Sequence, residues 1–207
     1  KHVLATEAAH IEVDLLGRAM GKQDHFASAY GNINVFTFNP DETVTVDPVL
    51  YRGETKEAIE SKLMLFYLNI KRDASEILTV QSRETQNKRS HLRRMKSLVG
   101  DISEIFSNNK KGNILGEILH QGWEIKRTLT EEVSTDQIDK YYQDARDAGA
   151  VGGKLLGAGG GGFLLLYVEK QNQEAVIDTL SDLFYLPVKF DDGGSRITYY
   201  DQTTVLN

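Results

Sequence analysis

Apolar positions along the chain change period several times, and the changes divide it into elements. From Lys1 to Gly17 they recur at helical spacing, with Leu4, Ala8, Ile11 and Leu15 on one stripe and Glu7 and Asp14 off it, which predicts an amphipathic helix. Gly21 to Tyr30 predicts a shorter second helix, ended by Gly31. Asn32 to Phe38 and Thr43 to Val49 predict two strands, and Asn39-Pro40-Asp41-Glu42 between them is a hairpin turn. The polar stretch Tyr51 to Glu60 is the expected boundary between two lobes, giving domains 1–55 and 56–207.

The second lobe opens with the apolar run Leu63 to Leu68, suited to a buried strand. Asp73 to Phe106 is long and charged, with Ile77, Val80, Leu92, Met95, Leu98, Ile102 and Ile105 near helical spacing, and predicts one or two helices. Asn113 to Leu129 predicts another, burying Ile114, Leu115, Ile118, Leu119, Trp123 and Ile125. Ser134 with Gln137 reads as a capping box for a helix running to about Ala148. A helix over Asn172 to Leu183 and two closing strands, Val188 to Asp191 and Arg196 to Tyr200, complete an α+β pattern with antiparallel pairing.

The stretch from Gly152 to Val168 organises the rest. A short apolar stub enters it, Gly157, Ala158, Gly159, Gly160, Gly161 and Gly162 form a hairpin-like loop, and Phe163 to Val168 leaves as a buried strand. Glycines here let backbone N–H groups approach a ligand closely, and the ligand suited to such a nest is an anion. The same glycines could instead serve only to let two backbones pack.

Composition narrows the class. The 207 residues, 40% of them hydrophobic, are enough to bury a core, and zero cysteines exclude a disulfide framework and any thiolate zinc site. The expectation is a cytoplasmic protein, without a signal peptide or a run long enough to span a membrane. A net charge of −6 argues against nucleic acid or acidic membranes as partners and favours a small molecule.

Two carboxylates stand out in the first lobe. Asp24 sits near the start of a predicted helix, where free N–H groups and the macrodipole favour its ionised form, and Lys22 adds positive charge. Helix capping would equally account for it. Glu12, near the end of the preceding helix, opposes that helix's dipole and needs a cation or solvent beside it. The basic cluster Lys88, Arg89, Arg93, Arg94 and Lys96 reads as a solvated helix face. No Ser/His/Asp triad, His-rich metal cage or dinucleotide fingerprint is present.

Glu12, Gly21-Lys22-Gln23-Asp24, Ala27, Ala29-Tyr30-Gly31 and Asn34, together with Gly152-Gly153-Lys154-Leu155-Leu156-Gly157-Ala158-Gly159-Gly160-Gly161-Gly162-Phe163, resemble the GHMP small-molecule kinases. Within them the chain is most similar to the D-glycero-D-manno-heptose 7-phosphate kinases, a likeness that Lys71 to Leu78 shares and that extends to Gly194-Ser195-Arg196. The resemblance implies the remainder of a ribosomal protein S5 domain 2-like lobe, followed by a ferredoxin-like C-terminal domain, with an active site between the lobes. It implies ATP and Mg²⁺, with Asp24 as the catalytic aspartate and Glu12 as the magnesium-binding glutamate. Lys22, Arg72, Gly157, Ala158, Gly159, Gly160 and Gly161 are the implied substrate- and phosphate-binding residues. The implied reaction moves the γ-phosphoryl group of ATP to a sugar hydroxyl, specifically the anomeric C1 hydroxyl of a heptose 7-phosphate.

Two departures from the family pattern bear on this. The family's first two motifs, including the Pro- and Ser-containing loop that wraps the ATP phosphates, belong upstream of Lys1, so the sequence reads as N-terminally truncated. A chain starting at Lys1 is expected to lack its main triphosphate site. His25 stands where the family leads one to expect Gln, and is expected to adjust the sugar contact. The alternatives are a non-catalytic sugar- or nucleotide-binding fragment and a GHMP kinase for another sugar or small alcohol; the partners are ATP and a sugar phosphate, with a homodimer left open.

Overall fold

The structure is a computed structural model, and it describes residues 1–70, 74–84, 87–108 and 113–199. It forms two compact units, one of residues 1–48 together with the described residues 190–199, the other of residues within 49–189. The polar stretch expected to mark the division at 55 holds a helix of the second unit instead, and the described residues 190–199 return to the first. The chain is α+β, as the periodicity predicts.

In the first unit, α1 (His2–Ala9) runs on into a π-helical stretch, His10–Leu15, and is followed by α2 (Gln23–Tyr30). Strands β1 (Asn34–Phe38) and β2 (Val44–Pro48) pair antiparallel from Asn34↔Pro48 to Phe38↔Val44. The buried face of α1 is not the predicted stripe. Ala5 and Ala9 are buried, with Phe26 and Ala29 of α2 and Val44 of β2, while Leu4, Ile11 and Leu15 are 49%, 51% and 67% exposed. Alanines let the helix backbones approach, and the wider π turn shifts the angular phase of every residue beyond Ala9.

The return segment is held by backbone. Ser195 N–H donates to the carbonyls of Ser28 and Ala29, and Lys1 Nζ donates to Tyr30 O at 2.8 Å and Gly193 O at 2.6 Å. Gly31 and Gly194 meet with no room between them: a Cβ on Gly31 would lie 2.2 Å from Gly194 N, and both have positive φ, +63° and +57°. Asp191 accepts from the N–H groups of Gly193 and Gly194, which hold its carboxyl below the usual range.

The second unit is built on a four-stranded antiparallel sheet. Its elements are α3 (Gly53–Glu60), β3 (Leu63–Tyr67), α4 (Ala74–Glu84), α5 (Arg89–Ser107), α6 (Ile114–Arg127), α7 (Asp136–Asp147), β4 (Ala150–Leu155), β5 (Phe163–Val168), α8 (Gln173–Thr179) and β6 (Phe184–Pro187). The strand order is β4-β5-β3-β6. Met64 and Phe66 of β3, Leu155 of β4, and Leu164, Leu166 and Val168 of β5 form the core with Trp123 of α6, Ile138 and Tyr142 of α7, and Val176 of α8. Burying each large apolar side chain contributes about 1.5–3 kcal/mol, enough to set the sheet register.

Three predicted details differ. The cap of α7 is Thr135, whose hydroxyl accepts from Ile138 N–H; Ser134 instead donates to Asp139 Oδ1 at 2.5 Å. The helix predicted to reach Leu183 stops at Thr179, and β6 occupies Phe184–Pro187. No strand forms between residues 188 and 199; that segment carries the glycine contact with Gly31, for which extended pairing is unsuited. Tyr200 lies outside the described residues.

Candidate active site

The first unit contains a cleft of about 340 Å³ lined by Leu4, Ala8, Glu12, Met20, Asp24, His25, Ser28, Ala29 and Ser195. Both carboxylates singled out in the sequence therefore reach one cleft. The π-helical stretch places Glu12 there, and the first turn of α2 places Asp24 and His25. Leu4 and Ala8, two members of the predicted apolar stripe, supply wall rather than core.

Glu12 has an arginine and an imidazole beside it at the helix end. Arg18 Nη1 donates to Oε1 at 3.0 Å, and His25 Nε2 lies 2.9 Å from Oε2. The His25 side chain is only 8% exposed, and its Nδ1 is buried with no hydrogen-bond partner. Against a carboxylate, Nε2 is the donor. His25, expected from the sequence to adjust the sugar contact, lines the cleft and bonds the neighbouring carboxylate. Arg18 was not singled out, because a partner six residues away across a non-helical bend follows no period.

Asp24 is exposed and its carboxylate has no hydrogen bond or ion pair among the described residues. The residue at the N-cap of α2 is Lys22, so Asp24 is not the cap of its own helix. Lys22 turns away to the hairpin, donating to Glu42 Oε2 at 2.5 Å. Arg72 lies outside the described residues.

The glycine-rich loop belongs to the second unit. Leu156 N–H donates to Phe163 O at 2.9 Å, Gly160 N–H to Val133 O at 2.9 Å and Gly162 N–H to Ile70 O at 3.2 Å. Part of the glycine content is steric. A Cβ on Gly159 would meet Val133 Cα and O at 2.8 Å, and one on Gly161 would meet Ile70 O at 2.4 Å. Gly157 has φ +69° with open space around its missing Cβ, so only conformation demands glycine there. The N–H groups of Gly157, Ala158, Gly159 and Gly161 have no partner among the described residues.

Beside this loop, Lys126 at the end of α6 donates to Gly157 O at 2.5 Å and reaches Leu155 O at 3.5 Å. Burial, and then the charge of Lys154, lower its ammonium to about 8. Burial likewise lowers the Lys154 ammonium. Sequence reasoning passed over Lys126 because it occupies an ordinary basic position in the last turn of a helix. Among the described residues no group of three or more His, Cys, Asp or Glu side chains could hold a metal ion, and no helix is long and apolar enough to cross a membrane.

An antiparallel α+β domain with a glycine-rich hairpin loop, preceded by a two-carboxylate cleft, defines a class. Residues 105–186 match the family model of the GHMP kinases' C-terminal domain, and the chain is similar to GHMP kinases over most of its length. It is 29% identical over 182 residues to the D-glycero-alpha-D-manno-heptose 7-phosphate kinase of Campylobacter jejuni, covering 87% of this chain and 53% of that one. It is 25% identical to the galactokinase of Pyrococcus furiosus, covering 87% of this chain and 56% of the relative. Among solved structures, a D-glycero-D-manno-heptose 1-phosphate kinase from Bacteroides thetaiotaomicron superposes with a TM-score of 0.68 at 26% identity, covering 91% of this chain and 52% of that one. The chain thus spans about half the length of these relatives.

Proposed function

We propose that the chain is the part of an ATP-dependent sugar kinase that carries its catalytic carboxylate and its glycine-rich loop. The observation that carries this reading is the convergence of Glu12, His25 and an unpaired Asp24 on one cleft. The acceptor is proposed to be the anomeric C1 hydroxyl of D-glycero-D-manno-heptose 7-phosphate; the name of the Campylobacter relative supports a heptose 7-phosphate as the acceptor.

In this reading the sugar hydroxyl donates a hydrogen bond to Asp24 and gives up its proton to that carboxylate as its oxygen bonds to the γ-phosphorus of ATP and the bond from that phosphorus to the β,γ-bridging oxygen breaks, releasing ADP. Phosphoryl transfer asks mainly for positioning and charge neutralisation, so an unencumbered carboxylate aimed at the hydroxyl is the chief chemical demand on the protein. Ser28 and Ser195 offer hydroxyls to the rest of the sugar, and Leu4, Ala8 and Met20 give an apolar wall for its ring.

Glu12 fits a role as a magnesium ligand. Mg²⁺ commonly takes one or two carboxylates together with substrate phosphates and water, so a full protein cage is unnecessary. Oε2 is fixed by the enclosed His25, whereas Oε1 is paired among the described residues with Arg18 alone, a side chain 59% exposed. Such an exposed pair is worth about 0–1 kcal/mol and yields readily to a divalent ion. Bound there, the ion would neutralise charge on the nucleotide phosphates.

The reading is tested by coupled ADP release from the intact protein over a panel of heptose 7-phosphate, galactose, fucose and mevalonate. Turnover with the heptose phosphate above the others is expected. Turnover confined to another acceptor would replace the substrate, and no turnover with any of them would remove the kinase reading.

A further inference from the structure

The cleft of the first unit is a groove between two helices that run antiparallel. His2 at the start of α1 meets Tyr30 at the end of α2, its Nδ1 3.2 Å from the phenol oxygen, while Glu12 meets His25 near the start of α2. Leu4, Ala8 and Glu12, each four residues from the next along α1 and its π-helical continuation, line one wall. Asp24 and Ser28, also four apart, line the other. The groove therefore has a reactive end, holding both carboxylates, and a far end one turn or about 6 Å further along α2, lined by Leu4, Ser28 and Ser195.

Ser195 comes from outside the helical pair, on the segment that returns to this unit. That segment is fixed by contacts that ignore most of its side chains. Asn32 N–H donates to Asp191 O at 2.5 Å, Lys1 Nζ donates to Gly193 O at 2.6 Å, and the Asp191 carboxylate holds the N–H groups of Gly193 and Gly194 at 3.0 and 3.1 Å. Gly194 fits against Gly31 because neither carries a Cβ. Ser195 N–H donates to Ser28 O at 3.2 Å and Ala29 O at 3.1 Å, carbonyls at the end of α2 that the helix cannot satisfy internally. Capping of this kind uses the backbone of residue 195 and nothing of its side chain.

The hydroxyl is left over. Ser195 Oγ has one hydrogen bond among the described residues, a long one of 3.4 Å to Ser28 O, and the Ser28 hydroxyl has none there. Two hydroxyls with donors and acceptors to spare thus stand beside the apolar Leu4 and Ala8. That combination suits a ligand with hydroxyls spaced along a carbon chain, which is a sugar. We infer that the return segment gauges the acceptor: Ser195, with Ser28, bonds the sugar hydroxyls furthest from the reacting one, and the clamped backbone of residues 191–195 limits the length of acceptor that the groove admits. The inference rests on the kinase reading for which end reacts. It adds a specificity-determining residue outside the two helices that carry the carboxylates.

The test uses the intact protein and sugars of five, six and seven carbons, with binding read by calorimetry and turnover by coupled ADP release. Ser195→Ala keeps every backbone bond of the segment, so the melting temperature should hold while affinity for heptose 7-phosphate falls about two- to tenfold, the effect of one hydrogen bond between neutral groups. Among singly deoxygenated heptoses, one should bind the variant and the unaltered protein equally, and it marks the hydroxyl that Ser195 bonds. Ser195→Met reaches into the far end and should weaken the seven-carbon sugar roughly tenfold more than the five-carbon one. Unchanged heptose affinity in Ser195→Ala, equal losses at all three lengths in Ser195→Met, or no sugar binding by the unaltered protein would each overturn the proposal. The kinase reading fails separately: sugar binding that depends on Ser195, with no ADP release, would discard the kinase and leave the gauge standing.

Discussion

His25 Nε2 lies 2.9 Å from Glu12 Oε2, so the residue that follows the candidate catalytic aspartate holds the candidate metal ligand in place. The ring is enclosed and Glu12 is partly open, which fixes one carboxylate oxygen from the protein side and leaves the other to an exposed arginine. Replacing His25 by Ala frees that carboxylate, and outer-shell losses of this kind cost roughly 10-fold or more in metal affinity. The Mg²⁺ concentration giving half-maximal activity should rise by about that factor in His25→Ala, whereas His25→Gln, which retains an N–H donor, should stay near the unaltered value. Equal behaviour of the two variants would show that the ring acts through packing alone.

Asp24 tests the chemistry rather than the metal. Its carboxylate has no partner to lose among the described residues and does not cap α2, so Asp24→Asn should leave the melting temperature within about 1 °C, in keeping with a surface substitution. The rate should fall by roughly 10²–10⁴, the range for a positioned general base. A variant with near-normal kcat would dismiss Asp24 as the base.

How much of this was legible beforehand depended on the kind of interaction. The glycine-rich hairpin, the buried strands of the sheet and the two carboxylates could be read because each rests on local pattern: a breaker run, an unbroken apolar run, a charge at a helix end. The burial of α1 could not, since Ala5 and Ala9 are chosen by what α2 presents and not by their own hydrophobicity. The pairing of Gly31 with Gly194 was hidden for a related reason: a contact between two absent side chains leaves no apolar signal. Lys126 shows the same limit, because its character comes from burial against β4 and from Lys154.

The loop glycines separate into two kinds, and stability should report the difference. Gly157→Ala meets open space and should cost about 1 kcal/mol for its positive φ alone. Gly159→Ala adds overlap with the backbone of Val133 and should cost about 3 kcal/mol. Urea denaturation of both variants checks the order; equal costs would mean that the loop can move away from Val133 freely.

Lys126 gives a pH dependence with a definite sign. Its folded value of about 8 lies below the ordinary 10.5, so the folded state carries a penalty that is complete below about pH 8, shrinks as the pH rises from there, and is gone above the unfolded value. The penalty is a few kcal/mol at most, reduced by solvent screening because Lys126 is only half-buried. Tyr142 works in the opposite sense: burial pushes it up to about 12, so its contribution is lost as the pH climbs past its ordinary value of 10.0. The measurement is therefore a difference, the unfolding free energy of the unaltered protein minus that of Lys126→Met. The variant should be the more stable at pH 7, and its advantage should shrink by pH 10. A constant difference would show that Lys126 is not penalised by the fold.

Arg72, which lies outside the described residues, is the cation that the family resemblance offers for the sugar's phosphate. Arg72→Ala should raise KM for the phosphorylated sugar roughly tenfold more than for its unphosphorylated analogue, the effect of losing one charge-assisted contact. Equal effects of Arg72→Ala on both sugars would reduce Arg72 to a surface partner for a neighbouring carboxylate.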